Sequence, residues 1–353
     1  MNQEYTQRLE KIEKELERWL PLNPESVWAD QVFPGISREV NAEAIHFLLS
    51  PASELLYRGG KRWRPLLMTL VCETLGGGDA AVPLSPVIEF SHNASLIHDD
   101  IEDESDERRG KPAVHKIYGI DTAINSGSFF YFLASCCIDT YADAFKNKEL
   151  IYKLWTDCMR KLHLGQSIDI SWHRKITLVP KIEDYHLMCR LKTGSLTRLA
   201  VELGVYTAGA PPEIALLLSE AADKIGVGFQ ILDDVKNLTT GNPGKKRGDD
   251  IVEGKKGFPI LLYMHKYPEK QKQVFYCFHT AKQTGVNSPE IEDLIESLNS
   301  SGVLTEAEET GKTLLKEAQM IFSSCESAVL NAGNIKINES GRVLLYDLIK
   351  SIS

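Results

Sequence analysis

Apolar residues recur every three to four positions along almost all of this 353-residue chain, a rhythm that leaves room for little except helix. Leu9, Ile12, Leu16, Trp19 and Leu20 trace one stripe, with Glu and Lys filling the opposite face. Proline and glycine punctuate the pattern at Pro21–Pro24, Pro34-Gly35, Gly76-Gly77-Gly78, Gly110-Lys111-Pro112, Gly209–Pro212 and Gly241–Gly244. The segments between these breaks are long and lack the alternation of a half-buried strand. No βαβ rhythm or linker divides them, and Leu314, Leu315, Ala318, Ile321 and Phe322 carry the spacing into the C-terminal stretch. The expectation is an all-α protein, a large single-domain helix bundle. Residues 1–50 would form an N-terminal helical extension packed on a domain spanning 51–353.

Charge and composition narrow the function classes. A net charge of −9 gives no basic excess with which to neutralise a nucleic-acid backbone, so nucleic acid is not the expected partner. No apolar run approaches the roughly 18–20 residues of a membrane span. The first residues, Met1-Asn2-Gln3-Glu4-Tyr5, are polar and acidic rather than basic then apolar, so no signal peptide is expected. Seven cysteines, an odd number without Cys-x-x-Cys spacing, read as reduced thiols. A cytoplasmic protein is the expectation.

Within this helical pattern lie two acid-rich stretches, Asp99-Asp100-Ile101-Glu102-Asp103 and Asp233-Asp234-Val235-Lys236-Asn237, each closing an apolar run. Carboxylates four residues apart on a helix share a face and can hold a hard cation. One such pair is more often a solvated helix face. Two of them inside a bundle concentrate negative charge, which is costly unless Mg²⁺ fills the gap, and Mg²⁺ usually completes its octahedron with water and substrate phosphate. A Mg²⁺–diphosphate enzyme is therefore expected.

Basic residues flank both stretches. Ahead of the first lies Gly59-Gly60-Lys61-Arg62-Trp63-Arg64-Pro65, whose glycines allow close backbone approach to a ligand. Lys61 and Arg64, three apart, are expected on one helical face as a point cation and a planar fork suited to diphosphate. After it comes Arg108-Arg109-Gly110-Lys111-Pro112; adjacent arginines cannot share a helix face and so can address two anions. Lys192-Thr193, Gln230, Lys245 and Lys255 surround the second stretch.

In this order the motifs resemble the trans-isoprenyl diphosphate (polyprenyl) synthases, and geranylgeranyl diphosphate synthases in particular. The likeness runs from Gly59 to about Pro259. It includes His92 seven residues before Asp99, Gly165-Gln166-x-x-Asp169, Lys192-Thr193-Gly194, Phe229-Gln230-x-x-Asp233-Asp234, and Gly244-Lys245 followed by Gly254-Lys255. The resemblance implies an isoprenoid-synthase helix bundle around a deep central cavity, usually a homodimer. It also implies three Mg²⁺ ions held by Asp99, Asp103 and Asp233. Arg108, Lys192, Lys245 (or Lys246) and Lys255 would bind an allylic diphosphate; Lys61, Arg64, His92 and Arg109 would bind isopentenyl diphosphate. Ionisation of the allylic C–O bond is then assisted by the metal. Lys192, Thr193 and Gln230 would turn oxygen dipoles toward the resulting cation, and released diphosphate would take the proton.

The chain departs from the family pattern in three places. Asn237 stands where Asp is commonest, as in some geranylgeranyl synthases; Ser128 follows Gly127 where relatives often carry Asp; and Lys245-Lys246-Arg247 leaves the cation's register open by one residue. His98 is expected to support its neighbours by hydrogen bonding rather than to bind metal, while Trp63 and Trp172 are expected to be packing residues.

Product length follows from the same resemblance, in which the growing tail runs from the first acid motif back along its own helix. Ala94 and Ser95, five and four positions before Asp99, are small, so no stop exists one turn down. Ser91 and then Val87 or Ile88 come next. The bulky run Phe129, Phe130, Tyr131 and Phe132 reads either as cavity floor or as ordinary core. Geranylgeranyl diphosphate is the leading expectation, with a longer chain next. Two rivals share features: a terpene cyclase, which needs no isopentenyl site, and a non-catalytic subunit of a heteromeric synthase, which typically loses one acid motif.

Overall fold

The computed structural model describes residues 3–36, 39–142, 148–241, 246–332 and 336–352. Helix makes up 79% of it, and the only strands among the described residues are two residues long, as the all-α reading requires. The helices are α1 (Gln3–Trp19), α2 (Ser26–Val32), α3 (Ala42–Tyr57), α4 (Trp63–Thr74), α5 (Ser85–Glu102), α6 (Val114–Tyr118), α7 (Ile120–Ala142), α8 (Lys148–Arg174) and α9 (Ile182–Cys189). They continue as α10 (Ser195–Thr207), α11 (Pro212–Thr239), α12 (Asp249–Val252), α13 (Phe258–Lys266), α14 (Gln271–Thr284), α15 (Pro289–Ser300), α16 (Val303–Ala332) and α17 (Glu339–Ser351). Two compact units form, one from Met1–Asp157, Leu199–Leu216 and Cys325–Leu348, the other from Cys158–Arg198, Leu217–Ser324 and Ile349–Ser353. Each takes several separate stretches of chain, so neither is a sequence-continuous domain.

In the first unit α5 is buried nearly all round: Val87, Ile88, Phe90, Ser91, Asn93, Ala94 and Ile97 are inaccessible, the signature of a central helix. Its most extensive partner is α7, where Phe130 meets Phe90 at a centroid distance of 4.6 Å. The α1 stripe is confirmed, with Ile12, Leu16 and Trp19 buried; Arg8 also pairs with Glu73 of α4 at 2.6 Å. Asn41 caps α3, its side chain accepting from the Glu43 amide. After α5 a short hairpin forms, β1 (Glu107–Arg108) against β2 (Lys111–Pro112), antiparallel with Arg108 opposite Lys111.

The second unit centres on the later part of α11. Val227, Ile231, Val235 and Leu238 pack with Tyr185 and Met188 of α9, Phe258 and Leu261 of α13, and Val274 and Phe278 of α14. Between α9 and α10 the chain makes a π-helical turn over Arg190–Gly194. Helix α8 approaches this turn so closely that a Cβ on Gly165 would lie 2.3 Å from the Lys192 nitrogen, which only glycine avoids.

Among the described residues no helix is long and apolar enough to cross a membrane. All seven cysteines are unbridged and six of them are buried.

Candidate active site

In the first unit, α5 places Asp99 within its last turn and Asp103 at its C-cap, one turn apart as the spacing predicted. The Arg108 guanidinium donates to Asp99 Oδ2 at 3.4 Å and, from Nε, to Asp100 Oδ1 at 2.8 Å. Asp100, fully buried, thus anchors the arginine that the sequence reading had assigned to substrate alone. Arg108 and Arg109 lie in the hairpin rather than on a helix. Arg109 occupies the turn with φ +55° and donates to the Leu55 carbonyl at 3.0 Å, so the two arginines do address different partners. Arg58, at the C-cap of α3, braces the hairpin by donating to the Arg108 and Pro112 carbonyls at 2.7 and 2.8 Å.

The expectation that Lys61 and Arg64 share a helical face is corrected. Helix α4 begins at Trp63, and Arg62 before it is left-handed, with φ +47°. Lys61 therefore sits in the preceding loop, exposed, while Arg64 is buried over the Trp63 ring, 4.3 Å from its centroid. Arg64 does come within 3.4 Å of His92 Nε2. Burial, followed by Arg64, Arg109, Arg108 and Arg62, holds the His92 pKa well below its ordinary value. Burial also lowers the Arg109 pKa to about 10, with Arg62 and other arginines adding to the effect against Glu89.

In the second unit the π-helical turn presents Lys192 and Thr193. Lys192 pairs with Asp169 of α8 at 2.6 Å, giving the Gly165-Gln166-x-x-Asp169 motif a partner. The Thr193 hydroxyl donates to Gln230 Oε1 at 2.8 Å, and Gln230 Nε2 donates to Asp234 Oδ1 at 2.9 Å. Asp234 is completed by the Tyr185 hydroxyl and the Phe258 amide, both at 2.7 Å to Oδ2. Burial raises the Asp234 pKa to about 6 in spite of these three donors. Asp234 and Tyr185 orient Gln230, a role that neither spacing nor residue type announced. Asp233 is half-buried on the same helix. Lys255 pairs with Glu253 at 2.6 Å. Lys245 lies outside the described residues.

Asn237 is fully buried, with neither amide atom hydrogen-bonded among the described residues. His98 supports its neighbours, as expected: Nδ1 lies 2.8 Å from the Ala94 carbonyl and Nε2 3.3 Å from Ser128 Oγ, which also gives the Ser128 departure a partner. Trp63 carries the Arg64 guanidinium on its ring, whereas Trp172 belongs to the core of the second unit. The aromatic run divides: Phe130 is core, Tyr131 stacks on His98 at 5.6 Å, Phe129 stacks on Phe33 at 5.8 Å, and Phe132 is 67% exposed. It does not form one surface. Ala94 is fully buried and Ser95 is turned back to the His92 carbonyl at 2.7 Å.

As for metal, Asp99 and Asp103 in the first unit, and separately Asp233 in the second, offer hard carboxylate oxygens. Among the described residues no three His, Cys, Asp or Glu side chains group as a closed site. Carboxylate oxygens of this kind suit Mg²⁺, which takes much of its shell from water and phosphate.

The pattern of the polyprenyl synthetase family matches residues 45–297. A short chain isoprenyl diphosphate synthase of Methanocaldococcus jannaschii is 36% identical over 258 residues, 72% of this chain and 77% of that protein. A geranylfarnesyl diphosphate synthase of Aeropyrum pernix is 36% identical over 228 residues, 62% of this chain and 71% of the relative. Among solved structures, a geranylgeranyl pyrophosphate synthase from Corynebacterium glutamicum, complexed with isoprenyl diphosphate and magnesium, superposes with a TM-score of 0.79. It is 23% identical and the match covers 97% of each chain, which fixes the fold as that of the isoprenoid synthases. The chain belongs to the polyprenyl synthetase family and is a prenyltransferase of that family. Dependence on a divalent metal is general among its members.

Proposed function

We propose that this chain condenses isopentenyl diphosphate with an allylic prenyl diphosphate, head to tail and in trans, giving geranylgeranyl diphosphate or a longer chain. The observation that carries the reading is the cation cluster of the first unit. Arg64, Arg109 and His92 are crowded and desolvated enough to depress the pKa of the last two. Such a cluster favours binding of a multiply charged anion, and a neutral His92 can donate to it from one ring nitrogen.

In this mechanism Lys61, Arg64, His92 and Arg109 hold the diphosphate of isopentenyl diphosphate, while Arg108, Lys192 and Lys255, with Lys245 or Lys246, hold that of the allylic partner. Asp99, Asp103 and Asp233 would hold Mg²⁺, proposed as three ions, which would supply positive charge for the leaving diphosphate. The allylic C–O bond breaks and its electron pair leaves with the diphosphate. The isopentenyl double bond then supplies the electrons of the new C–C bond, and the adjacent C–H proton passes to the released diphosphate. Lys192, Thr193 and Gln230 offer fixed dipoles to the transient cation. Exposed Ile120, Ile124 and Phe132 of α7 support the proposed homodimer.

Product length rests on α5. Ala94 and Ser95 leave the first turn before Asp99 narrow-chained, whereas Ser91, one turn further, accepts from the buried Trp155 indole at 3.1 Å. A stop at this second turn supports geranylgeranyl diphosphate over longer products. The test is incubation with isopentenyl diphosphate, each allylic starter and Mg²⁺, with products separated by chromatography. Absence of condensation with every starter overturns the reading.

A further inference from the structure

The loop carrying Lys61 is fixed by a residue without an assigned substrate role. Gly59 and Gly60 both have positive φ, which glycine adopts freely, whereas Arg62 is left-handed with a full side chain and needs outside support. Its side chain secures that support. Its Nε donates to Glu13 of α1 at 2.8 Å, Nη1 to Glu89 of α5 at 2.9 Å, and Nη2 to the Leu56 carbonyl at 2.8 Å. Glu89 Oε1 also accepts from Asn93 at 2.8 Å, beside His92. Burial works against the charge on Arg62, yet the two carboxylates outweigh it and hold its pKa above the ordinary range. A Cβ on Gly60 would stand 3.3 Å from Arg62 Nη1 and 3.4 Å from Arg109 Nη2, so the loop is closed over by both guanidinium groups.

We propose that Arg62, gripped by Glu13 and Glu89, is a positioning residue that sets the isopentenyl diphosphate site by fixing the Gly59–Lys61 backbone, which makes the N-terminal helix α1 a working part of that site. The proposal rests on the function proposed above. A planar fork is required, because a lysine ammonium cannot reach two carboxylates and a carbonyl in this fixed geometry. Glu13 is the informative member. Its side chain is 39% exposed, and it pairs with Arg62 rather than with a proposed substrate-binding residue.

The experiment compares Glu13→Gln and Arg62→Lys with the parent chain at full length. It measures kcat, the KM of each substrate at saturating partner, melting temperature, and calorimetric binding of inorganic pyrophosphate. The isopentenyl KM should rise roughly three- to tenfold in Glu13→Gln, with kcat and the allylic KM within twofold. In a Lys61→Ala background the same substitution should add little, because its effect is transmitted through Lys61. Unchanged isopentenyl KM, an additive effect in that background, or both KM values rising with a lowered melting temperature overturns the proposal. Should the parent chain bind pyrophosphate yet condense nothing, the function reading falls and calorimetry alone decides the clamp. Weaker pyrophosphate binding in Glu13→Gln then upholds it and equal binding refutes it. A parent chain that binds no pyrophosphate refutes both.

Discussion

Replacing Trp155 by alanine should lengthen the product, and the structure gives the expected step. Ser91, which receives the indole N–H, lies eight residues before Asp99 on α5, about 12 Å along the axis at 1.5 Å per residue. Ser95 lies half as far, about 6 Å. Each added isoprene unit extends the tail by roughly one helical turn, about 5.4 Å. An obstruction at Ser95 thus stops the tail one unit sooner than one at Ser91. Trp155→Ala should shift the main product to at least one unit longer, whereas Ala94→Phe or Ser95→Phe should shift it toward farnesyl diphosphate. Loss of the buried indole should destabilise the chain by roughly 3–5 kcal/mol, so the assay runs well below the melting temperature and reads chain length, which a reduced folded fraction does not alter. Phe132→Ala is the control, since that ring is exposed. Products are separated by chromatography after incubation with isopentenyl diphosphate and each starter. An unchanged spectrum in Trp155→Ala and in both phenylalanine insertions, with turnover retained, would refute this path for the tail.

Asp99→Ala or Asp103→Ala should lower turnover by orders of magnitude, each 1.4 kcal/mol of lost stabilisation being roughly tenfold, while melting stays near that of the parent because Arg108 keeps Asp100; steady-state kinetics and thermal melts check both halves. Tyr185→Phe leaves Asp234 Oδ2 with the Phe258 amide alone, and should cost about 1–3 kcal/mol of stability with a fall in kcat that KM values do not share. Lys256 is buried, donates to the Trp172 and Lys175 carbonyls, and has its pKa lowered to about 8 by burial from an ordinary 10.5. The unfolded chain therefore binds the extra proton between these values, so this residue's contribution to stability grows as pH rises from 8 to 10.5 and is lost as pH falls back from 10.5 to 8. Denaturant titrations of the parent and Lys256→Met should diverge over that window by about 3 kcal/mol, and parallel curves would refute the assignment.

The helical period and the Gly and Pro breaks made the all-α architecture legible, because one buried stripe per helix is a local property of the chain. Asp99 and Asp103 were legible for the same reason: spacing of four within a helix fixes their separation. Lys61 and Arg64 were misread where that logic failed, since Arg62 breaks the helix in a left-handed conformation that residue type does not advertise. Trp155, Tyr185 and Asp100 escaped notice because their partners are remote or already assigned. The Trp155 indole finds Ser91 64 positions away, and Tyr185 finds Asp234 49 positions away. Contacts of this kind depend on packing, and no periodicity records them.

The proposed ionisation creates an anion and a carbocation, and the chain treats the two differently. For the leaving diphosphate the proposed binders are cations already held in place by carboxylates: Arg108 by Asp100, Lys192 by Asp169 and Lys255 by Glu253. For the carbocation, an accessible carboxylate would be hazardous, since it would capture the cation as an ester. The Asp234 carboxylate next to Gln230 is buried, and both its oxygens accept hydrogen bonds, from Gln230, Tyr185 and Phe258. It therefore holds the Gln230 amide nitrogen, leaving the amide oxygen directed to Thr193. Stabilisation by dipoles fixed in advance needs no reorganisation as charge develops. On the proposed mechanism the Tyr185 hydroxyl, remote in sequence from either acid motif, serves the chemistry of this site as well as its packing.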